Sequence, residues 1–275
     1  MRQPSINTLA ILLCCLAASP AYSDNQIYQW LVNGKTFFSD KSHPNARVII
    51  LPEKKTTYRV KRVIDGDTLL LDDGTKVRLL GINTPEIQHG QQTDEAGGRL
   101  AKQWLTTQLT GQAVRLETDN EKLDRYGRTL AHVFTSSNDH INVQLVQQGL
   151  AVVSLYPPNV NYAATLIAAQ TIAETKHIGL WNDPAYAVKS IKQLNLANQK
   201  GWQRLTGIVQ RVRQTRQYYY LGFSGDFSVR IHRSNAAFFP DLKTYIGHTV
   251  EVRGLLNQQQ NALSMLIRHP DAIRL

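Results

Sequence analysis

The stretch YRVKRVIDGDTLLLDDGTKVRLLGINTPE, residues 58–86, decides the fold. It holds three β-prone runs, Tyr58 to Ile64, Thr68 to Leu71 and Lys76 to Leu80, with Asp73-Gly74 as the turn between the last two. Asp65-Gly66-Asp67 sets two carboxylates around a glycine. Side chains alternate along extended backbone, so Asp65 and Asp67 are expected on the same side. Arg78 sits inside a short apolar strand, where a cation is costly without an anionic partner. Pro85 biases Thr84 to extended backbone and fixes its own φ, so Glu86 follows a stiff bend.

Downstream, Arg99 to Leu109 reads as a helix with Leu100, Trp104, Leu105 and Leu109 along one side. Ala113 to Glu117 and Thr129 to Phe134 read as strands, the second entered through the turn Asp124-Arg125-Tyr126-Gly127-Arg128. Ile141 to Gln148 is a short amphipathic helix closed by Gly149, and Tyr162 to His177 is an Ala-rich helix closed near Gly179. Five strands with three helices predict, for 58–183, a mainly β fold with α (α+β), a five-stranded barrel of the OB type.

Upstream, residues 24–57 form a small β module. Ile27 to Val32 and Lys35 to Ser39 flank Asn33-Gly34, a strong two-residue hairpin signal. Before it, Leu9 to Ala18 is an apolar run too short to span a bilayer, and Ala21-Tyr22-Ser23 fits a small-x-small cleavage site. Residues 1–23 therefore read as a signal peptide, and the protein as exported, periplasmic or secreted, with no stable membrane insertion afterwards. Both cysteines, Cys14 and Cys15, fall in that segment, which excludes disulfides and Cys metal sites from the mature chain.

The 275 residues carry a formal charge of +10, unevenly placed. Residues 24–185 hold 17 basic and 17 acidic side chains, whereas 186–275 hold 13 basic and 4 acidic. That asymmetry suggests a polyanion as partner. Residues 184–200 read as a polar linker or connecting helix. Five short strands follow, Leu205 to Val212, Tyr218 to Phe223, Phe227 to His232, Thr249 to Leu255 and Ala262 to Ile267, which predict a second, basic OB-like barrel over 201–275. Arg211, Arg213 and Arg216 precede Tyr218, and Arg230 and Arg233 flank His232. Basic groups beside aromatics offer phosphate neutralisation and base stacking, so these residues are candidates for binding nucleic acid. A solvated basic sheet with core tyrosines is the plainer alternative.

Taken singly, an Asp-Gly-Asp turn is most often only a turn, and an arginine in a strand a structural ion pair. Taken in order, Ile64-Asp65-Gly66-Asp67-Thr68, Arg78 through Glu86, Asp124 through Arg128 and Gln148-Gly149-Leu150-Ala151 resemble the staphylococcal-type nucleases, or thermonucleases, over 58–183. The resemblance implies calcium-assisted hydrolysis of phosphodiester bonds in DNA, and in RNA too, with little base specificity. It implies water attack at phosphorus and products ending in 3′-phosphate. The chemistry needs cations matched to phosphate oxygens and a base for the water. By resemblance, Arg78 and Arg128 supply the first, Glu86 the second and Asp67 a calcium ligand, with the Thr84 carbonyl as a further ligand. Asn83 stands where well-studied members carry aspartate. Its side-chain carbonyl can still serve as a ligand, but the site loses a negative charge, so weaker calcium binding or a changed metal preference is expected. Tyr156 is the nearest match to the family's base-contacting aromatic, and Tyr126 reads as structural. The rival readings are a catalytically weak nucleic-acid-binding protein on the same fold and an envelope scaffold built on the N-terminal module. No protein partner is implied.

Overall fold

The computed structural model describes residues 26–39, 41–50, 56–87, 95, 97–194, 201–259 and 262–275. The expected signal peptide at 1–23 and residues 195–200 of the expected linker lie outside them. The chain divides into two compact units, one ending at Lys55 and the other running Thr56–Leu275. No helix among the described residues is long and apolar enough to cross a membrane.

In the first unit, β1 (Gln26–Val32) and β2 (Lys35–Ser39) pair antiparallel, with Val32 opposite Lys35. The two turn residues have φ of 49° at Asn33 and 77° at Gly34, the sign a tight primed turn demands. A third strand that the hairpin signal did not reveal, β3 (Arg47–Ile50), pairs on the other side of β1.

The second unit opens with a closed barrel. β4 (Thr57–Asp65), β5 (Thr68–Leu71) and β6 (Lys76–Leu79) form a meander, and the short β7 (Ile82–Asn83) follows. After α1 (Gly98–Leu109) come β8 (Ala113–Leu123) and β9 (Thr129–Thr135), then α2 (Ile141–Gln147), β10 (Val152–Val153) and α3 (Ala163–Thr175). The barrel order is β4-β5-β6-β9-β8, with β6 and β9 parallel. Register shifts in β4 at Val60/Arg62 and Val63/Asp65 bend the strand as closure requires. Val77 and Leu79 point into the core, so alternation turns Lys76 and Arg78 outward.

One helix face differs from expectation. The buried stripe of α1 is Gly98, Ala101, Leu105 and Leu109, and Leu100 is 62% exposed. Ala101, Leu105 and Leu109 are spaced four apart and define the inward face, and Leu100 lies about 100° around the helix from Ala101.

The remainder forms a second sheet. Its strands are β11 (Val188–Ser190), β12 (Trp202–Ile208), β13 (Arg211–Gln214), β14 (Tyr218–Gly222), β15 (Phe227–His232), β16 (Thr249–Gln259), β17 (Ala262–Ile267) and β18 (Ile273–Arg274). Their order is β11-β12-β16-β17-β15-β14-β13, with β18 against β16. The run expected as one strand from Leu205 to Val212 is broken at Val209-Gln210. There the Val209 N–H donates to His248 O and the Gln210 N–H to Gly222 O, so the bend is held from both sides. Residues 184–194 do not form a free linker. They make short 3₁₀ turns and β11, with Tyr186 and Ile191 buried.

A buried ion-pair hub joins the barrel to this sheet. Glu174 on α3 receives Arg253 Nη1 at 2.6 Å and Arg274 Nη1 at 3.0 Å, while Glu251 receives Arg204 Nε at 2.8 Å and Arg253 Nε at 2.9 Å. The Arg253 side chain is 3% exposed, and its guanidinium stays protonated because the two glutamates outweigh burial, which opposes the charge. Trp202 packs beside this hub, 6.0 Å from the Trp181 ring and 5.7 Å from Tyr186.

Candidate active site

The site grows from the turn after β4 and the segment after β6. Asp67 is buried, and its Oδ2 accepts the Thr84 N–H and the Thr84 hydroxyl, each at 3.1 Å. The same oxygen faces Arg78 Nη2 at 2.9 Å, and Oδ1 accepts the Thr68 hydroxyl at 3.0 Å. Gly66 makes this approach possible: a Cβ there would lie 2.6 Å from Thr84 Oγ1. The charges of Asp65 and Asp67 both reach Glu86. Asp65 stays half-buried and caps the Gly66 N–H at 2.8 Å.

Arg78 is held on four sides. Nη1 donates to the carbonyls of Leu79 (2.9 Å) and Ile82 (3.2 Å), and Nη2 to Asn83 Oδ1 (2.9 Å) beside its ion pair with Asp67. A guanidinium has five N–H donors, so Nε–H is the one these contacts leave over. Asn83 passes the contact on, its Nδ2 donating to the Thr84 carbonyl at 3.0 Å. The expected ligand oxygens of Asp67, Asn83 and Thr84 therefore lie in one hydrogen-bonded set around Arg78. Among the described residues no group of three or more His, Cys, Asp or Glu side chains could by itself hold a metal ion.

Glu86 is exposed, and its carboxyl is held above its ordinary value. Partial desolvation is the largest cause, followed by the negative charges of Asp65, Asp67 and Glu95, while Arg78 opposes them. Its main chain is tied to Glu95 twice, donating its N–H to Glu95 Oε2 and accepting the Glu95 N–H, both at 3.0 Å. A raised carboxylate open to solvent suits a proton acceptor.

Arg128 lies two residues before Leu130, the register partner of Arg78, so alternation puts both arginines on the same outer face of the barrel. Its Nε donates to Asp124 Oδ2 at 2.6 Å. Burial pushes the Asp124 carboxyl up, but hydrogen bonds from Arg128 and Tyr126 outweigh it and hold the group low. Tyr126, read from sequence as structural, is 68% exposed, with the Arg125 and Arg128 guanidinium carbons 4.7 and 5.6 Å from its ring centre. Exposure of a ring flanked by two cations is a surface contact rather than core packing.

Tyr156 is half-exposed, and the Arg268 guanidinium lies 4.3 Å from its ring centre. Of the basic candidates further on, Arg211 and Arg213 alternate on β13 and both are exposed, as expected. Arg213 lies 4.8 Å over Tyr220, and Arg230 on β15 lies 5.8 Å from Tyr218. Arg211, Arg213 and Arg230 line one shallow groove of 470 Å³ with Tyr220. Arg216 and Arg233 sit at the other end of these strands, where the Arg233 N–H donates to Gln217 O. The structure thus divides the basic set in two. Arg268 was missed from sequence because it follows an apolar strand with no aromatic neighbour to flag it.

A family model described as a staphylococcal nuclease homologue matches residues 76–183. The thermonuclease of Staphylococcus intermedius is 43% identical over 128 residues, which are 46% of this chain and 76% of that protein. The chain belongs to the staphylococcal nuclease family. A second thermonuclease, from Staphylococcus hyicus, is 36% identical over 149 residues, 53% of this chain and 88% of its own length. Endonuclease YhcR of Bacillus subtilis is 32% identical over 136 residues, 45% of this chain and 11% of that protein. In this staphylococcal nuclease homologue the matched segment contains Arg78, Asn83, Thr84, Glu86 and Arg128. Asp67 lies just before it, and the second sheet lies wholly after it.

Proposed function

We propose that the chain is an exported, calcium-assisted nuclease acting on DNA and RNA with little base preference. As a family member it is a phosphodiester hydrolase. The observation that carries the finer reading is the convergence of Asp67, Arg78, Asn83, Thr84 and Glu86 in one open cluster, with Arg128 on the same barrel face.

In the proposed reaction a phosphodiester meets the Arg78 Nε–H and the terminal fork of Arg128. Both offset the charge that builds on the equatorial oxygens. Glu86 takes a proton from the attacking water as its oxygen bonds to phosphorus. The bond from phosphorus to the 5′-oxygen breaks, and that oxygen takes a proton from solvent, leaving a 5′-hydroxyl and a 3′-phosphate. Asp124 positions Arg128 through Nε. Calcium would be held by Asp67, the Asn83 carbonyl oxygen and the Thr84 main-chain carbonyl, an all-oxygen set that fits a hard cation. Bound there, it would polarise a phosphate oxygen. Asp67 supplies the only formal charge of the three, and Arg78 already faces it, which supports weak binding.

The rest of the chain is read as delivery. The second sheet is taken as an OB-like barrel, supported by the strand order around the bend at Val209-Gln210. Its basic face, with Arg211, Arg213, Tyr218 and Arg230, would bind nucleic acid, with Arg216 and Arg233 as a further patch. Export rests on residues 1–23. The test is cleavage of plasmid, single-stranded DNA and RNA by purified protein. Cutting of all three with calcium and none in excess chelator is expected; undiminished cutting in chelator removes the metal from the account, and binding without cutting favours the binding-protein alternative.

A further inference from the structure

Three of the arginines after residue 200 are consumed by the hub: Arg204, Arg253 and Arg274 all face Glu174, Glu251 or Asp271. Arg230 and Arg268 are different. Neither forms an ion pair among the described residues, and Arg230 Nε is buried without a hydrogen-bond partner. Both line a 240 Å³ cleft between the nuclease barrel and the second sheet. Asn83 and Tyr156 form its barrel wall, Trp202 adds an aromatic face, and its carboxylate, Asp271, lies 3.7 Å from Arg274 Nη2. Burial pushes the His269 imidazole beside them below its ordinary value, against the pull of Asp271. Guanidinium groups that are partly desolvated and lack a counter-charge are costly, and an anion lowers that cost.

Arg230 also lines the 470 Å³ groove with Arg211 and Arg213, so the cleft and the groove meet at one side chain. Asp226 is the carboxylate at that groove's rim, in the exposed turn after Gly225. Asn83 joins the other end of the cleft to Arg78. We infer that cleft and groove are one continuous path for a single nucleic-acid strand, running from the catalytic cluster across Arg268 and Arg230 to Arg211 and Arg213. The inference rests on the nuclease reading and adds the form of the substrate. The cleft holds 240 Å³, below the roughly 300–1,000 Å³ of ordinary ligand pockets, which is room for one base or one sugar-phosphate group at a time rather than for paired strands. Arg268 is already stacked on Tyr156, and a base entering there would stack against that pair.

The test is fluorescence anisotropy in chelator, with labelled oligothymidylates of about 4 and about 16 nucleotides, the range one OB unit covers. The long strand is expected to bind at least about tenfold tighter than the short one. Arg268→Glu and Arg230→Gln should each cost the long strand about tenfold. Loss of one phosphate contact should flatten the salt slope by about 0.7. Lys243→Glu, which changes net charge as Arg268→Glu does but on an exposed 3₁₀ turn outside both hollows, should stay within about twofold. Arg268→Gln provides the milder change if the reversal unfolds the protein. Equal losses for Arg268→Glu and Lys243→Glu, or equally tight binding of a duplex, would overturn the path. Length-dependent binding by a protein that never cuts with calcium would instead overturn the nuclease reading and leave the path standing.

Discussion

Removing the Glu174 carboxylate tests whether the second sheet is locked beside the nuclease barrel. In Glu174→Ala, Arg253 loses its 2.6 Å partner and Arg274 its 3.0 Å partner, and Arg204, 3.7 Å away, loses a weaker one. Arg253 is almost wholly enclosed, so water cannot take the place of the lost oxygens. Breaking such a pair from one side costs about 3–5 kcal/mol. Glu251 remains against Arg253 and Arg204, which places the expected loss near the lower end, about 3 kcal/mol. For a unit of this size each kcal/mol moves the melting temperature by about 2–4 °C, so a fall of about 6–12 °C is expected. Differential scanning calorimetry at pH 7 measures it, and moderate salt should leave most of the difference in place, since buried pairs are poorly screened. A fall of less than about 2 °C, or one erased by salt, would show that the hub is solvent-accessible and the junction loose.

Acid should weaken the fold through a histidine pair. Burial holds His132 and His140 at about 4 against an ordinary 6.5, so both are neutral when folded and charged in the unfolded chain below about pH 6.5. The unfolded state then binds more protons, and stability is complete above that pH and lost as pH falls toward 4. At pH 5 the loss from His132 is up to about 2 kcal/mol, with less from the more exposed His140; urea titrations at pH 7 and 5 that agree would contradict it. Asn83→Asp restores a carboxylate beside Asp67, so calcium should bind at least about tenfold tighter by calorimetry, a gain of about 1.4 kcal/mol. Unchanged or weaker affinity would remove residue 83 from the ligand set.

Much of the site was legible because local rules carry it. Period-two alternation turns Arg78 outward from a strand whose other face is Val77 and Leu79, and Pro85 places Glu86 beyond a bend. The same logic put Arg211 and Arg213 on one face. What escaped was long-range. The Glu174–Arg253 and Glu174–Arg274 bonds join residues 79 and 100 positions apart, and nothing local marks any of the three. Arg268 gains meaning only because folding lays it on Tyr156. Leu100 misled because an apolar residue one step off the α1 stripe looks like part of it. The ion pair of Arg78 was anticipated as a cost to be met. Its four protein contacts were not, and they make Arg78→Ala a structural lesion as well as a catalytic one.

Glu86 therefore offers the cleaner test. It is exposed, and its bonds to Glu95 run through the main chain, so Glu86→Gln should keep the fold. The decisive measurement is single-turnover cleavage of a single-stranded oligonucleotide by this variant with saturating calcium. An amide cannot take the proton from water, so the rate should fall by about 10²–10⁴ with strand binding retained. A rate within about threefold of the unaltered protein would contradict the assignment of Glu86 as the base and, with it, the account of catalysis.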